Sequence, residues 1–309
     1  MSKLNPEIRK DYIQEKYVII APIREKRPHQ IEKAHISNQR DSEECAFCPN
    51  QINKVKDLLT VGGKKNWKIK VIKNIFPAVT LKNPKAYGTQ EVIVETPEHF
   101  KELDELPPEH ISELLRVYAL RTKEIQKIKK IEYILIFKNN GGRAGASIIH
   151  SHSQIFATSF LPPHLIDKSR RVQEYKLRKG TCVYCDTIKK EAKGPRLIYK
   201  DKFVIAFAPY ASMHNYEAWI IPVRHIDNIT CLAKEERLSF AKALKMILNK
   251  ISALGLPYNF YFHQVINDED QHLYMKITPR GSVWAGVEIG SGLVINPVAP
   301  EDAAKYYRS

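Results

Sequence analysis

Asn139-Asn-Gly-Gly-Arg-Ala-Gly-Ala-Ser147-Ile-Ile-His150-Ser-His152-Ser-Gln154 is the stretch from which the rest of the chain is read. Before it runs IEYILIFKN (131–139), rich in β-branched and aromatic residues, as strands are. The glycines and alanines mark a turn whose small residues let backbone N–H groups approach phosphate oxygens. The chain then re-enters as a strand, IIHSHSQIFA (148–157), in which alternation puts His150, His152 and Gln154 on one face.

Upstream, apolar spacing at Ile111, Leu114, Leu115, Tyr118 and Ala119, after LPPEH, predicts a helix over 108–128 that starts on a tolerated proline. Before it come the strand QEVIVETPEH, ending at His99, and the pair Cys45 and Cys48. The same order recurs downstream: Cys182 and Cys185, EAWIIPVRH ending at His225, a helix over 233–253, the strand YNFYFHQVI, and His272. The chain reads as a duplication. Strand, strand, helix, strand in each half predicts an antiparallel sheet carrying helices, an α+β fold of two halves, 1–165 and 166–309. The linker is placed near 161–181, around LPPHL and RKGT.

At 309 residues with 43% hydrophobic content, the chain can bury a core without staples and reads as soluble and globular. No apolar run approaches a membrane span, and Met1 to Arg24 is too charged for a secretory signal, so a cytoplasmic protein is expected. Lys and Arg outnumber Asp and Glu by 49 to 34, and the net charge of +15 favours anionic partners, nucleic acid or phosphorylated small molecules. The lysines are scattered, including the stretch Arg121 to Lys130. Neither a basic stripe interleaved with aromatics nor a helix-turn-helix pattern is present, so no nucleic-acid partner is expected.

Two separated C-x-x-C pairs in a reducing compartment read first as metal sites. Zinc prefers four Cys and His ligands, and C-x-x-C lets two thiolates reach one ion. The repeat groups Cys45, Cys48, His99 and His150 into one set and Cys182, Cys185, His225 and His272 into another. Four protein ligands leave no position for substrate, so both are read as structural. Cys231 reads as a buried apolar residue.

The H-x-H-x-Q element after G-x-S resembles the active-site motif of the galactose-1-phosphate uridylyltransferase family, in the histidine-triad superfamily, with Ser151 and Ser153 where that family usually has Pro and Gly. The likeness continues through QIFATSFLP, REKRP (24–28), KNIFPAV (73–79) and YGTQEVIVETPEH (87–99), and covers nearly the whole chain. It implies that His152 attacks the α-phosphorus of a nucleotide sugar, releases the sugar 1-phosphate, and holds the nucleotide for a second phosphorylated acceptor. Imidazole suits that ping-pong scheme, being neutral enough to attack and a good leaving group once phosphorylated. By the same resemblance Gln154 bonds the transferred phosphoryl group, Ser147, Arg24 and Arg27 bind phosphate, and Asn74 and Asn139 surround the nucleotide. Glu288, in SVWAGVEIGSGLVI (282–295), falls at a sugar-hydroxyl ligand; family members are commonly homodimers.

Several positions depart from the pattern. Lys168, Tyr274 and Lys276 stand where members of the bacterial type place the Glu and paired His of a further iron site, so that site is not expected. The Cys182 pair instead resembles a branch with a second zinc that includes ADP-glucose phosphorylase. Tyr274 stands where the repeat would place a second His152, giving one catalytic centre per chain. Ser282 and Val294 replace a Lys and a Gln that bind the hexose phosphate. Uridylyl transfer between UDP-glucose and a hexose 1-phosphate is the leading expectation. Adenylyl transfer or phosphorolysis on ADP-glucose or dinucleoside polyphosphates is the alternative on the same fold, with hydrolysis through the same histidine a further variant. A zinc-stabilised nucleic-acid-binding protein is the alternative of another class.

Overall fold

The computed structural model describes residues 5–26, 45–63, 66–266 and 268–309. Two short strands come first, β1 (Glu7–Lys10) and β2 (Tyr17–Ile20). The first half then follows as α1 (Pro49–Ile52), β3 (Asp57–Gly62), β4 (Trp67–Lys73), β5 (Gly88–Val94), α2 (Pro108–Ile125), β6 (Tyr133–Asn140) and β7 (His152–Thr158). Helices α3 (Pro163–Lys179) and α4 (Val183–Glu191) lead into the second half. That half runs β8 (Leu197–Lys200), β9 (Val204–Phe207), β10 (Ala218–Pro222), α5 (Lys234–Ala253), β11 (Tyr258–His263) and β12 (Tyr274–Pro279). After it come α6 (Gly286–Ser291), β13 (Val294–Asn296) and α7 (Pro300–Arg308).

Ten strands form one antiparallel sheet in the order β3-β4-β5-β7-β6-β11-β12-β10-β9-β8. Counted outward from its centre, each half repeats the same sequence of strands, so the duplication read from the motifs is a duplication of the sheet. The halves join where β6 pairs with β11, Asn139 opposite Asn259 and Phe137 opposite Tyr261. A smaller sheet, β1-β2-β13, ties the start of the chain to its late part, with β13 running parallel to β2.

The helix expected over 108–128 ends at Ile125, after which the chain turns and Lys130 takes a positive φ of 69°. The basic stretch Arg121 to Lys130 is therefore helical only in its first part. The segment placed as a linker contains the 17-residue α3, which begins with Pro at its first turn just as α2 does. Proline there starts a helix rather than preventing one.

Period-two alternation gives the sheet two faces. Ile93, Ile136, Ile155, Phe260, Met275 and Ile220 point to one side, where Leu115 and Tyr118 of α2 and Phe240 and Leu244 of α5 complete a single core. Each such side chain contributes about 1.5–3 kcal/mol on burial. His152, Gln154, Asn139, Asn259, Tyr274 and Lys276 alternate to the opposite side. In the second half that side is roofed by α3 and α4, with Val172, Val183 and Ile188 against Phe207, Trp219 and Tyr274. In the first half, among the described residues, Phe47 and Ile52 near α1 pack over Trp67, Ile72, Val92 and Val94, with Cys45 and Ile148 beside them. Among the described residues no helix is long and apolar enough to cross a membrane.

Candidate active site and metal centres

His152 opens β7, opposite Val94 of β5. His150 precedes the strand instead of lying in it, so the two imidazoles are not stacked on one pleat; their relation is set by a hydrogen bond. The His152 Nδ1–H donates to the His150 carbonyl oxygen at 2.8 Å, which leaves the Nε2 lone pair unpartnered among the described residues. Burial, reinforced by the charge of Lys138, pushes the His152 imidazole below its usual pKa. The ring is thus neutral near neutral pH, with a defined tautomer and one nitrogen available.

Gln154 follows two residues on, and its Oε1 accepts from Gln90 Nε2 at 2.7 Å and from Asn74 Nδ2 at 3.4 Å. Both bonds end on the oxygen, so the amide hydrogens of Gln154 have no acceptor among the described residues and can donate. Asn74 is itself fixed by accepting from Phe76 N at 2.8 Å. Asn139 Nδ2 donates to Gly145 O at 3.4 Å, and Asn259 from the other half donates to Asn139 Oδ1 at 2.8 Å and to Ala144 O at 2.7 Å. These amides clamp the glycine-rich turn to the sheet. Gly141 and Gly145 sit at φ +82° and +88°, which other residues rarely adopt. The N–H groups of Ala144, Gly145 and Ala146 close bonds inside the turn, so they do not face a ligand as the glycine content had suggested.

Ser147 is exposed at the end of the turn, and Arg24 is exposed in a 3-10 turn at Pro22–Lys26. Arg27 lies outside the described residues. Glu288 accepts from the backbone N–H of Ala285 at 2.9 Å and of Ile295 at 3.4 Å, capping α6. Partial burial would raise its carboxyl, but those N–H groups and the charge of Arg24 hold it below the ordinary value. The charge of Arg24 is therefore felt at Glu288, although the two are far apart in sequence. Val294 is buried in β13 and presents nothing to a ligand.

Beneath the strand that His152 opens lies a polar network that sequence reading missed. Lys138 and Glu95, both buried, pair at 2.7 Å, and Lys138 also reaches Ser151 Oγ at 2.9 Å and the His152 carbonyl at 3.3 Å. Ser151 Oγ lies 2.7 Å from Glu95 and 2.9 Å from Glu102, while Tyr118 OH donates to Ser153 Oγ at 2.7 Å. Burial would depress the lysine, yet the carboxylates of Glu102 and Glu95 keep it above its usual pKa. The departures Ser151 and Ser153 thus anchor the strand on a charged cluster, and the only sequence signal for it was those two serines.

Cys45, Cys48, His99 and His150 bring one ligand atom each to within 4.8 Å of one another. Cys48 Sγ is 3.2 Å from His99 Nδ1 and 3.6 Å from His150 Nδ1, and Cys45 Sγ is 3.7 Å from His150 Nδ1. Zinc–sulfur and zinc–nitrogen bonds of about 2.0–2.3 Å in a tetrahedron give ligand separations of roughly 3.3–3.8 Å, so these residues fit the ion. His150 Nε2–H donates to Thr96 O at 2.7 Å, which turns Nδ1 inward, as metal-bound histidines are commonly held. Cys182, Cys185 and His225 form a second group, with Cys185 Sγ 3.3 Å from His225 Nδ1 and His225 Nε2 2.9 Å from Glu269 O. His272 falls outside that group. Its ring is 4.8 Å from that of His225, its Nδ1 is 3.0 Å from Leu273 O, and its buried Nε2 has no partner among the described residues. Cys231 is exposed, not buried: it sits in a 3-10 turn at the surface.

Residues 2–162 match the family model described as galactose-1-phosphate uridyl transferase, N-terminal domain, over more than half of the chain. The chain belongs to the galactose-1-phosphate uridylyltransferase family. It is 32% identical to ADP-glucose phosphorylase of Arabidopsis thaliana over 98% of this chain and 93% of that one. It is 30% identical to galactose-1-phosphate uridylyltransferase of Thermotoga maritima over 98% of both. The crystal structure of the Arabidopsis thaliana ADP-glucose phosphorylase with bound ADP-glucose superposes with a TM-score of 0.88 at 31% identity, covering 99% of each chain. The family places the chain among nucleotidyltransferases, with the α+β fold expected from the repeat.

Proposed function

We propose that this member of the family transfers a nucleotide from a nucleoside-diphosphate sugar to a phosphorylated acceptor through a covalent nucleotidyl-His152. The observation that carries the reading is the Nδ1–H bond from His152 to the His150 carbonyl, which leaves a neutral Nε2 as nucleophile. Nε2 attacks the α-phosphorus, the bond from that phosphorus to the sugar-phosphate oxygen breaks, and the sugar 1-phosphate departs. The cationic adduct keeps its Nδ1 proton on the His150 carbonyl. An oxygen of the acceptor phosphate then attacks phosphorus, and the imidazole leaves neutral. Gln154 donates its free amide hydrogens to the phosphoryl oxygens as charge builds there, with Asn74 and Asn139 lining the nucleotide and Ser147, Arg24, Arg27 and Glu288 serving the diphosphate and sugar.

Cys45, Cys48, His99 and His150 would hold a zinc ion that fixes the carbonyl of His150 by anchoring its ring, and Cys182, Cys185 and His225, with His272 beside them, a second one. ADP-glucose with phosphate as acceptor is the first choice of substrates. It is supported by the full-length likeness to ADP-glucose phosphorylase and by the replacement of the hexose-phosphate ligands with Ser282 and buried Val294. Uridylyl transfer between UDP-glucose and a hexose 1-phosphate is the second reading, supported by the Thermotoga maritima relative. A homodimer acting in the cytoplasm belongs to the same proposal; the exposed Val283, Val287 and Ile289 offer it apolar surface to bury.

Intact-protein mass spectrometry after incubation with ADP-glucose or UDP-glucose, without acceptor, tests the mechanism. A gain of one AMP or UMP that is absent in His152→Ala establishes the intermediate and names the base. Undiminished turnover in His152→Ala would sink it.

A further inference from the structure

We propose that the second half holds a binding cavity of its own, for a small phosphate monoester, at the place that mirrors His152. This does not depend on the role given to His152. The cavity has a volume of about 400 Å³ and lies on the same sheet face as His152, with Tyr274 and Lys276 of β12 and Asn259 of β11 in its floor. Small-molecule sites run from about 300 to 1,000 Å³, so it suits a ligand of sugar-phosphate size.

Its chemistry is that of an anion site. Lys168 reaches down from α3, is 6% exposed, and hydrogen-bonds the Tyr274 hydroxyl with its ammonium 4.7 Å from the centre of that ring. Lys16 and Arg280 stand on the walls. Among the described residues none of these three cations has a carboxylate within 4.0 Å. The acidic groups nearby are already engaged. Glu217 is taken by Lys276 at 2.8 Å, by Trp219 Nε1 at 3.0 Å and by the N–H groups of Met213 and His214. Asp11 accepts from the N–H groups of Ile13 and Gln14. A buried ammonium without a counter-ion is costly, and burial lowers Lys168 to a pKa of about 7. A phosphate monoester brings the missing negative charge, and phosphate oxygens match both the guanidinium of Arg280 and a buried ammonium. At the rim the Trp284 ring stacks on His214, centroids 5.7 Å apart, a flat apolar wall for the organic part of the ester.

Isothermal titration of the full-length His152→Ala protein with glucose 1-phosphate, AMP and inorganic phosphate tests this, with Lys168→Met and Arg280→Gln added singly. Expected is a binding event with at least one probe whose affinity falls tenfold or more in either variant. The same two substitutions in the protein that keeps His152 should leave the rate of labelling by its nucleotide donor within twofold. The probe that loses most names the ester; loss with inorganic phosphate alone reduces the ligand to phosphate itself. If every probe binds both variants as it binds the parent, or no probe binds, the proposal is overturned. Arg280, at the edge of the cavity, decides the matter should Lys168→Met fail to fold. A crystal soaked in tungstate gives an independent reading: an anomalous peak between Lys168 and Arg280 supports the site, and a peak confined to His152 and Gln154 overturns it.

Discussion

Phe47 and Tyr184 occupy equivalent places in the two C-x-x-C turns, and each leans on the residue that opens the inner strand of its half. Phe47 meets His152 with ring centroids 5.1 Å apart, and Tyr184 meets Tyr274 at 5.8 Å. Metal-type ligands, inner strand and buttressing aromatic are all repeated. What differs is the handling of charge and access. Among the described residues the first half covers its sheet face with Phe47 and Ile52 near α1, and it neutralises a buried lysine, Lys138, with Glu95 on the core side of the strand. The second half roofs the same face with α3 and α4 and holds a buried lysine, Lys168, that has no carboxylate within 4.0 Å among the described residues. A scaffold doubled by duplication can thus diverge by changing the roof and the pairing while the strand order stays fixed.

Substitutions that act on matching positions would break or sharpen this comparison. The largest effect is expected from the two inner-strand openers. His152→Ala should reduce nucleotide labelling by at least about 10⁴-fold, whereas Tyr274→Phe should leave it within twofold; intact-mass time courses read both. Next come the cysteines. Cys45→Ser should lose bound zinc and lower Tm together, by on the order of 10 °C, and Cys182→Ser should do less, because only three ligands gather there; metal analysis beside thermal melts checks the ranking.

The two lysines should respond with opposite signs. Lys138→Met strands Glu95 in the core and should cost about 3–5 kcal/mol of stability, together with a slower labelling step, since Lys138 holds the backbone of His152. Lys168→Met removes an unpaired buried cation and should raise Tm by a few degrees at pH 7, the smallest effect of the set. Burial presses the Lys168 pKa down; the charge of Asp11 opposes it, and Lys276 and Lys16 add to the lowering. Between its folded value of about 7 and the unfolded 10.5, the unfolded chain binds the extra proton, so wild-type stability rises with pH through that window. The advantage of Lys168→Met should therefore shrink as pH approaches 10. Melts across that range with no convergence would refute the unpaired state of Lys168.

Much of this was legible beforehand because it depends on spacing. The repeat of Cys pair, strand, helix and strand located α2, α5 and the strands β5, β6, β10 and β11, and alternation placed His152 with Gln154. The connection placed near 161–181 contains α3, and its LPP matches the LPP of LPPEH that starts α2, so local sequence carried a helix signal there as well. Gln90 and Asn259 escaped because their roles come from register across neighbouring strands, which no local pattern encodes. Lys138 and Glu95 escaped because a charge in an otherwise apolar strand gives no sign of its partner, 43 residues away. His272 was placed by symmetry, and symmetry fails where the copies have drifted.

The small β1-β2-β13 sheet makes the boundary in sequence different from the boundary in space. Arg9 bonds Glu301 at 3.0 Å and the carbonyl of Tyr210, and Tyr12 bonds Glu191 at 2.9 Å, so the opening strands are fastened to the later half of the chain. From that arm Asp11 and Lys16 reach into the cavity, and the same arm runs on to Arg24, whose charge is felt at Glu288. A fragment beginning at residue 166 would therefore be missing a wall, and one ending at 165 would carry an arm with nothing to grip. Neither half is a separable inheritance, and a shift of the arm would be felt at Glu288 and in the cavity together.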